Sequence, residues 1–304
     1  MKKLLLTGAF KYNQEQLSNL EHLGYEIVFV QDDRKNLNID VSDIDAVFCN
    51  SLFLYNDIKE FKNLRTIQLT SAGLDRVPLG YINEKGIQLF NARGVYSIPM
   101  AEWAVLKILE IYKKSRVFYK NQQLHKWEKQ RELLELTDKT AAIIGYGNVG
   151  TEIAKRLKAF GVNIISVDRQ IREDDYIDES VLIDDLEATL VNSDIIVLTL
   201  PLTDETRQLI NEEKIKVIKD DAVLINVSRG EIIDETALIE SLNKDKFLGV
   251  ALDVFEEEPL SESPLWDFEN VIVTPHNSFV SDKVKERFFQ LMIENLNIEI
   301  EVFK

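Results

Sequence analysis

The sequence predicts an α/β protein built from two parallel-sheet domains. Its 304 residues correspond to two domains of about 150 residues each. Short apolar runs alternate with helical stretches in the first hundred residues and again from residue 140 onward, and this alternation is typical of parallel α/β units. A glycine-rich turn also follows the first apolar run of the second series directly, within Thr140–Gly150.

The first series predicts five strands separated by helices. The strands are Lys3–Leu6, Glu26–Val30, Ala46–Cys49, Thr66–Leu69 and Ile87–Phe90. Segments with helical spacing, such as Tyr12–Leu23 and Ile58–Lys62, lie between them. The first apolar run has the start of a signal peptide, but charge returns at Lys11 and leaves the apolar region too short. We therefore predict a strand there.

The second series predicts six strands, preceded by a long helix and a charged arm. The helix is Met100–Lys113, and the arm, which we expect to be helical, includes Lys126, Glu128, Lys129 and Arg131. The strands are Thr140–Ile144, Asn163–Val167, Ile195–Thr199, Val223–Val227, Leu248–Ala251 and Val271–Val273. Six strands with helices between them suit a doubly wound dinucleotide-binding domain. The tail, Asp282–Val302, predicts one amphipathic helix that packs on either domain.

Composition and charge exclude several classes of protein. With 36 Lys and Arg against 52 Asp and Glu, the net charge is −16, which disfavours nucleic-acid and anionic-membrane binding because phosphates are repelled. No apolar run reaches the length of a membrane span. The only cysteine, Cys49, cannot form an intrachain disulfide or a cysteine-based metal site. We predict no metal and a reducing, cytoplasmic location.

The glycine-rich turn predicts a dinucleotide site. It contains Gly145, Gly147, Asn148, Val149 and Gly150 and opens the helix Thr151–Phe160. The first glycine permits a tight turn, the second lets a pyrophosphate approach the backbone, and the third lets helix and strand pack closely. The N-terminus of the helix offers N–H groups and a positive dipole end to the phosphates.

An aspartate at the end of the next strand favours NAD over NADP. Asp168 lies 168 − 150 = 18 residues after the last glycine, close to the usual spacing of about 20. A carboxylate there accepts hydrogen bonds from a ribose diol and repels a 2′-phosphate. The neighbouring Arg169 acts against that preference.

Three further residues follow strand ends and have side chains suited to acid–base chemistry and anion binding. His276 follows Val271–Thr274 and Pro275, whereas the other two histidines, His22 and His125, lie in polar stretches typical of a surface. A histidine exchanges protons near neutral pH, and an arginine such as Arg229 can bind a carboxylate with both prongs of its fork. On position alone, His276 could equally be a surface-loop residue, Arg229 fits a loop salt bridge better, and Glu258 could belong to an exposed acidic loop.

Seven motifs in a fixed order give the chain a specific resemblance. They are Thr70–Asp75, Asn91–Gly94 with Ala101 and Glu102, Gly145–Gly150, Pro201–Thr206, Asn226–Gly230, Asp253–Pro259 and Thr274–His276. Together they make the chain similar to the D-isomer-specific 2-hydroxyacid dehydrogenase family. The family's domain pattern covers the whole chain.

The resemblance implies a role for each matching residue in catalysis. Arg229 would bind the substrate carboxylate and polarise its C2 carbonyl, His276 would be the acid–base group, and Glu258 would hydrogen-bond His276. The backbone at Ala72 and Gly73 would receive the carboxylate.

For the cofactor and the pocket, the resemblance implies further contacts. Asp253 would hold the nicotinamide carboxamide, and Thr206, Val227 and Ser228 would lie near the cofactor. Tyr96 stands where many relatives have a smaller polar residue, so it either lines the substrate pocket or packs in the core.

The resemblance also implies the domain arrangement and the activity. A Rossmann domain, residues 99–281, would be inserted in a smaller flavodoxin-like substrate domain, residues 1–98 plus 282–304. The activity would be NAD-dependent oxidation of 2-hydroxy acids or reduction of 2-oxo acids, in a homodimer joined through Met100–Lys113 and the charged arm. With the last residue at Lys304, we expect no regulatory extension.

Two alternatives stay open. One is a formate dehydrogenase-like relative, against which Glu258 argues because those relatives are expected to have glutamine there. The other is an NAD(H)-sensing binding or corepressor-type protein on the same fold. Retention of Arg229, Glu258 and His276 argues against pure binding without excluding it.

Overall fold

The computed structural model describes the backbone of residues 1–302 and the side chains of residues 1–297. It divides into two compact units. Unit 1 contains Met1–Tyr96 with Ser281–Lys304, and unit 2 contains Ser97–Val280. The chain passes between the units at 96/97 and at 280/281. These boundaries lie two residues and one residue before the predicted ones, at 98/99 and 281/282.

Unit 1 is built on a five-stranded parallel sheet. Its strands are β1 (Lys2–Thr7), β2 (Tyr25–Val30), β3 (Ala46–Cys49), β4 (Thr66–Leu69) and β5 (Gln88–Phe90). Their order is β2-β1-β3-β4-β5, which is the flavodoxin-like order. The helices are α1 (Gln14–His22), α2 (Leu52–Tyr55) and α3 (Leu79–Lys85), and the predicted helix Ile58–Lys62 is instead a single 3-10 turn, Ile58–Glu60.

Unit 2 begins with two helices and continues as a seven-stranded parallel sheet. The helices are α4 (Ser97–Tyr112), α5 (Ser115–Gln123), α6 (Asn148–Lys158), α7 (Leu186–Asn192), α8 (Glu212–Val217) and α9 (Glu235–Leu242). The strands are β6 (Thr140–Ile144), β7 (Asn163–Asp168), β8 (Glu179–Leu182), β9 (Ile195–Leu198), β10 (Ala222–Asn226), β11 (Phe247–Leu252) and β12 (Val271–Val273). Their order is β12-β11-β10-β9-β6-β7-β8, so the direction of winding reverses at β6. The predicted fold class, a Rossmann domain inserted in a flavodoxin-like one, is confirmed.

Two sequence-based expectations in unit 2 are wrong. The sheet has a seventh strand, β8, which pairs with β7 at the edge. Its two end residues are exposed, so it lacks the apolar run by which strands are found. The charged arm is not helical: α5 ends at Gln123, His125 adopts a left-handed φ of 53°, and Lys126–Gln130 has no regular structure.

The tail forms α10 (Val284–Val302) and packs on unit 1. Phe288, Met292 and Leu296 join the core on one face of the first sheet. The buried amide of Asn295 donates to Gln68 Oε1 on β4 at 2.6 Å. This contact decides between the two packings that the sequence left open. Within residues 1–302, no helix combines the length and apolarity required to cross a bilayer.

Candidate active site

The predicted site residues of unit 2 follow the carboxyl ends of its strands. Open α/β sheets bind ligands at this edge, in the crevice where the strand order reverses. That crevice lies between β6 and β9. Gly145 follows β6, Asp168 ends β7, Arg229 follows β10, Asp253 follows β11 and His276 follows β12.

Two glycines of the turn after β6 cannot be replaced without displacing backbone. Gly145 has a left-handed φ of 92°, and a Cβ there would lie 2.6 Å from the backbone nitrogen of Leu200. A Cβ on Gly150 would lie 2.9 Å from the carbonyl oxygen of Gly145. The hydroxyl of Thr199 donates to that same carbonyl. Close packing between the turn and β9 therefore requires both glycines.

The turn also fits the pyrophosphate of a dinucleotide. Gly147 is the N-cap of α6, and among the described residues no heavy atom lies within 4 Å of the position of a Cβ on it. A phosphate can therefore reach the backbone at this point. The 11-residue helix α6 presents its positive N-terminal end there, where Asn148, Val149 and Gly150 form the first turn.

The carboxylate of Asp168 is already engaged within the chain. Its Oδ1 accepts a hydrogen bond from the backbone N–H of Arg169 at 2.6 Å. Its Oδ2 accepts from Nε and Nη2 of Arg172 at 3.1 and 3.0 Å. Sequence reasoning missed Arg172, whose only signal was a basic residue four positions after the aspartate.

Three predicted cofactor contacts stabilise the loops that follow β9 and β10. The Thr206 hydroxyl donates to the carbonyl of Pro201 at 2.7 Å and accepts from the N–H of Thr203 at 2.7 Å. Val227 and Ser228 are buried, and the Ser228 hydroxyl donates to Asn226 Oδ1 at 2.6 Å. Their contact with a cofactor stays a prediction.

Arg229 is held by a buried amide that the sequence did not single out. Asn226 has no exposed surface, and its Nδ2 donates to the carbonyl of Arg229 at 2.9 Å. Its Oδ1 accepts from the N–H of Ser228 at 3.0 Å. The half-buried Arg229 donates from Nη1 to the carbonyl of Ser228 at 2.8 Å. A polar residue ending a buried strand was the available signal for Asn226.

The arginine turn lies directly against the segment that leads to Glu258. A Cβ on Gly230 would lie 1.8 Å from the carbonyl carbon of Phe255 and 2.3 Å from the nitrogen of Glu256. Only glycine permits backbones to approach this closely. The turn containing Arg229 and the loop containing Glu258 therefore form one packed structure.

Glu258 and His276 form a hydrogen-bonded pair. The distance from His276 Nδ1 to Glu258 Oε2 is 2.8 Å, and Glu258 Oε1 accepts from the N–H of Phe255 at 3.2 Å. Because an ionised carboxylate only accepts, it favours the tautomer with hydrogen on Nδ1 and leaves Nε2 to exchange a proton. Both side chains are more than a third exposed, and the rings of His276 and Phe279 are nearly perpendicular, with their centroids 6.0 Å apart.

Asp253 is already hydrogen-bonded within the chain. It has no exposed surface, and its carboxylate accepts hydrogen bonds from the Thr274 hydroxyl and from the N–H groups of Asn277 and Ser278, the latter two at 2.8 Å. Its carbonyl accepts from the N–H of His276 at 2.8 Å. These contacts fix the histidine loop, and the predicted contact of Asp253 with a nicotinamide carboxamide stays a prediction.

In unit 1, the predicted substrate residues Ala72 and Gly73 lie in the loop after β4, and Tyr96 lies between β5 and α4. Asn91 Nδ2 donates to the carbonyl of Ala72 at 2.7 Å, and the Ser71 hydroxyl donates to that of Gly73 at 3.0 Å. The Tyr96 hydroxyl donates to the carbonyl of Thr70, and burial raises the pKa of Tyr96 to about 12. Tyr96 therefore braces this loop, and its predicted contact with the substrate stays a prediction.

No metal cluster adds to these groups. Within the part of the chain that the structure describes, no three His, Cys, Asp or Glu side chains are grouped closely enough to hold a metal ion. Cys49 is a buried free thiol.

Comparisons with known proteins agree with this architecture. The family model for the D-isomer specific 2-hydroxyacid dehydrogenase, NAD binding domain, matches residues 105–278, more than half of the chain. The chain belongs to the D-isomer specific 2-hydroxyacid dehydrogenase family. Every predicted cofactor and catalytic residue lies inside the matched segment of the dehydrogenase family, whereas Ala72, Gly73 and Tyr96 lie outside it.

Individual relatives within the dehydrogenase family have different names. A D-3-phosphoglycerate dehydrogenase from Methanocaldococcus jannaschii is 32% identical over 97% of this chain, which spans 57% of that relative's length. A hydroxypyruvate reductase from Thermotoga maritima is 35% identical over 81% of this chain and 80% of its own. A D-lactate dehydrogenase from Aquifex aeolicus, solved with NAD and lactic acid, is 25% identical, with a TM-score of 0.79 over 98% of this chain and 95% of its own.

Proposed function

We propose that this chain is an NAD-dependent D-2-hydroxyacid dehydrogenase that interconverts a small 2-oxo acid and its 2-hydroxy acid. The observation that supports this most directly is the 2.8 Å hydrogen bond between His276 Nδ1 and Glu258 Oε2, in a segment packed against the turn of Arg229. A proton donor, its orienting carboxylate and a fixed cation are the groups that reduction of a 2-oxo acid requires.

His276 would transfer the proton. Glu258 holds the hydrogen on Nδ1 and stabilises the imidazolium, so Nε2 can give its proton to the C2 oxygen during reduction and take it back during oxidation. The histidine side chain is partly exposed, as a group that meets a substrate must be.

Arg229 would bind the substrate carboxylate. Its guanidinium keeps its positive charge through the reaction and can donate two parallel hydrogen bonds to a carboxylate. The same charge stabilises the negative charge that develops on the C2 oxygen. In unit 1, the backbone N–H groups of Ala72 and Gly73 would donate hydrogen bonds to a carboxylate.

The cofactor would be NAD, held at the glycine turn. When bound, the nicotinamide supplies or accepts the hydride at C2 of the substrate. Gly147 leaves the backbone open to the pyrophosphate, and Gly145 and Gly150 allow the turn to pack closely. Asp168, at the end of β7, would bind the ribose.

We further propose that the protein is a cytoplasmic homodimer. The side chains of Phe118, Tyr119, Leu124 and Trp127 are exposed, Trp127 to 98%. Large apolar side chains gathered on one segment are typical of a protein interface. The buried free thiol of Cys49 is compatible with a reducing compartment.

Turnover of the purified protein tests the proposal. NADH oxidation is followed at 340 nm with glyoxylate, pyruvate, hydroxypyruvate and branched 2-oxo acids, and the reverse reaction with D- and L-isomers of the products. We expect turnover with at least one 2-oxo acid, and with D-isomers only in reverse. Binding of NADH, seen as a fluorescence change, without turnover in either direction would contradict the proposal and favour a sensing protein.

A further inference from the structure

Asp168 has little capacity left for a ribose diol. An ionised carboxylate offers about four lone-pair sites. Three are occupied in the folded chain, one by the N–H of Arg169 and two by Nε and Nη2 of Arg172. Bidentate recognition of the 2′- and 3′-hydroxyls needs two acceptor sites, so Arg172 must leave or one hydrogen bond is lost.

The backbone of Arg172 is fixed, whereas its guanidinium can move. The N–H of Arg172 donates to Ser180 Oγ on β8 at 2.8 Å, and Ser180 Oγ in turn accepts from Ser166 at 3.0 Å. The Arg172 side chain is 41% exposed and that of Asp168 only 14%. The arginine therefore covers the carboxylate from the solvent side, where it can turn outward without losing its backbone anchor.

The charges around Asp168 do not repel a phosphate as a lone aspartate would. The neighbouring Arg169 is exposed. The charge of Asp168 is balanced by the guanidinium of Arg172 at 3.0 Å, whereas an unpaired aspartate would leave a full negative charge.

We propose that Arg172 makes the ribose site accept a 2′-phosphate, so that the chain binds NADP(H) as well as NAD(H). With NAD(H), the diol would use the remaining acceptor site of Asp168. With NADP(H), the guanidinium of Arg172 would turn from the carboxylate to the phosphate, assisted by Arg169. The inference rests on the proposed dinucleotide binding and narrows the preference for NAD that Asp168 alone predicts.

Calorimetric titration with two nucleotides that differ only at the ribose tests the role of Arg172 in binding, and it does not depend on enzymatic turnover. The probes are ADP-ribose and 2′-phospho-ADP-ribose. For the unmodified protein we expect dissociation constants within about tenfold of each other. Arg172→Ala should weaken the binding of 2′-phospho-ADP-ribose at least about tenfold, because the charge-assisted hydrogen bonds of the guanidinium to the phosphate are lost. ADP-ribose should bind equally well or more tightly.

Two further variants distinguish the effect of the planar guanidinium from that of net charge. Arg172→Lys keeps the charge but not the planar fork, so its ratio of the two constants should lie between those of the unmodified protein and Arg172→Ala. Lys216 is a matched control because it is also exposed and contacts a carboxylate four residues earlier, Glu212. Lys216→Ala should leave the ratio unchanged.

The outcomes distinguish this inference from the proposed function. If ADP-ribose binds but Arg172→Ala leaves the ratio unchanged, or if the unmodified protein prefers ADP-ribose by more than about a hundredfold, the role of Arg172 is wrong and dinucleotide binding stands. If neither probe binds to the folded protein, both proposals are wrong. An equal shift in Lys216→Ala would assign the effect to net charge and overturn the inference.

Discussion

The position of His276 depends on hydrogen bonds made by its backbone N–H group. Its N–H donates to the carbonyls of Asp253 and Thr274 at 2.8 and 3.0 Å, and its φ of 49° lies in the left-handed region, which non-glycine residues seldom occupy. Asp253 holds the following residues through its carboxylate. The acid–base group is therefore placed by its loop and oriented by Glu258.

Removal of the imidazole should abolish most turnover without affecting the fold. His276→Ala should lower kcat at least about 10²-fold, because no other group would supply the proton. NADH binding and the thermal midpoint should change little, since the backbone bonds of the loop remain. Steady-state kinetics with the best 2-oxo acid measure this, and near-normal turnover would exclude His276 as the acid–base group.

Removal of the buried carboxylate should instead reduce stability. Asp253→Ala leaves the N–H groups of Asn277 and Ser278 and the hydroxyl of Thr274 without their acceptor. Unsatisfied buried donors cost about 1–3 kcal/mol each, so the free energy of unfolding should fall by at least about 3 kcal/mol in urea titrations. Asp220→Ala, at an exposed aspartate, is the control, and equal stability of the two variants would contradict the structural role of Asp253.

Loss of the ribose carboxylate should affect the two cofactors unequally. Asp168→Ala removes an acceptor for the diol and releases Arg172, so NADH binding should weaken several-fold or more while NADPH binding weakens less. Fluorescence titrations with both cofactors give the two dissociation constants. Equal losses would argue against Asp168 as the ribose ligand.

At the scale of elements, Asp178 joins α6 to β7. Its Oδ2 accepts from the N–H of Ile164 at 2.7 Å, and both its oxygens lie within 2.9 Å of Lys158 Nζ at the end of α6. The hydrogen bond from Lys158 lowers the pKa of Asp178. A folded-state pKa below the ordinary value of about 3.9 adds stability above that value, and the contribution is lost as the pH falls through the folded-state pKa.

Asp178→Asn should therefore lower stability at neutral pH only. The side chain is partly exposed, and solvent screening limits the expected loss to about 0.5–1 kcal/mol. Urea midpoints of both proteins, measured from pH 7 to pH 3, should differ by a constant amount down to about pH 4 and converge below it. A difference that persists at pH 3 would contradict this account of the pair.

Elements with a long apolar pattern were predictable, and those stabilised by particular contacts were not. Strand β3 lies at its predicted residues, Ala46–Cys49, because four buried residues in a row leave a clear signal in the sequence. Strand β8 has exposed ends, and its place depends on pairing with β7. The charged arm does not form the predicted helix, because a helix that does not pack against the rest of the protein has little to stabilise it.

At the scale of the whole molecule, the exposed apolar segment should mediate dimer formation. Light scattering should give twice the chain mass, and Leu124→Asp combined with Trp127→Asp should give a monomer, because charges would have to be buried in the interface. Val191→Asp, at another exposed apolar position, on α7, should leave the dimer intact. A monomer at every concentration for the unmodified protein would exclude the proposed homodimer.

The sequence by itself determined the two α/β sheets and the order of the motifs at their strand ends. Both follow from local patterns, namely apolar periodicity and the conformations that glycine permits, and neighbouring residues suffice to define them. The tertiary structure alone decided which polar atoms are already occupied. Asp253 and Asp168 both end strands in the sequence, yet one is buried under the histidine loop and the other is covered by Arg172. The number of free lone pairs on a carboxylate depends on every donor that the fold brings within about 3 Å, and for Asp253 those donors lie more than twenty residues away along the chain.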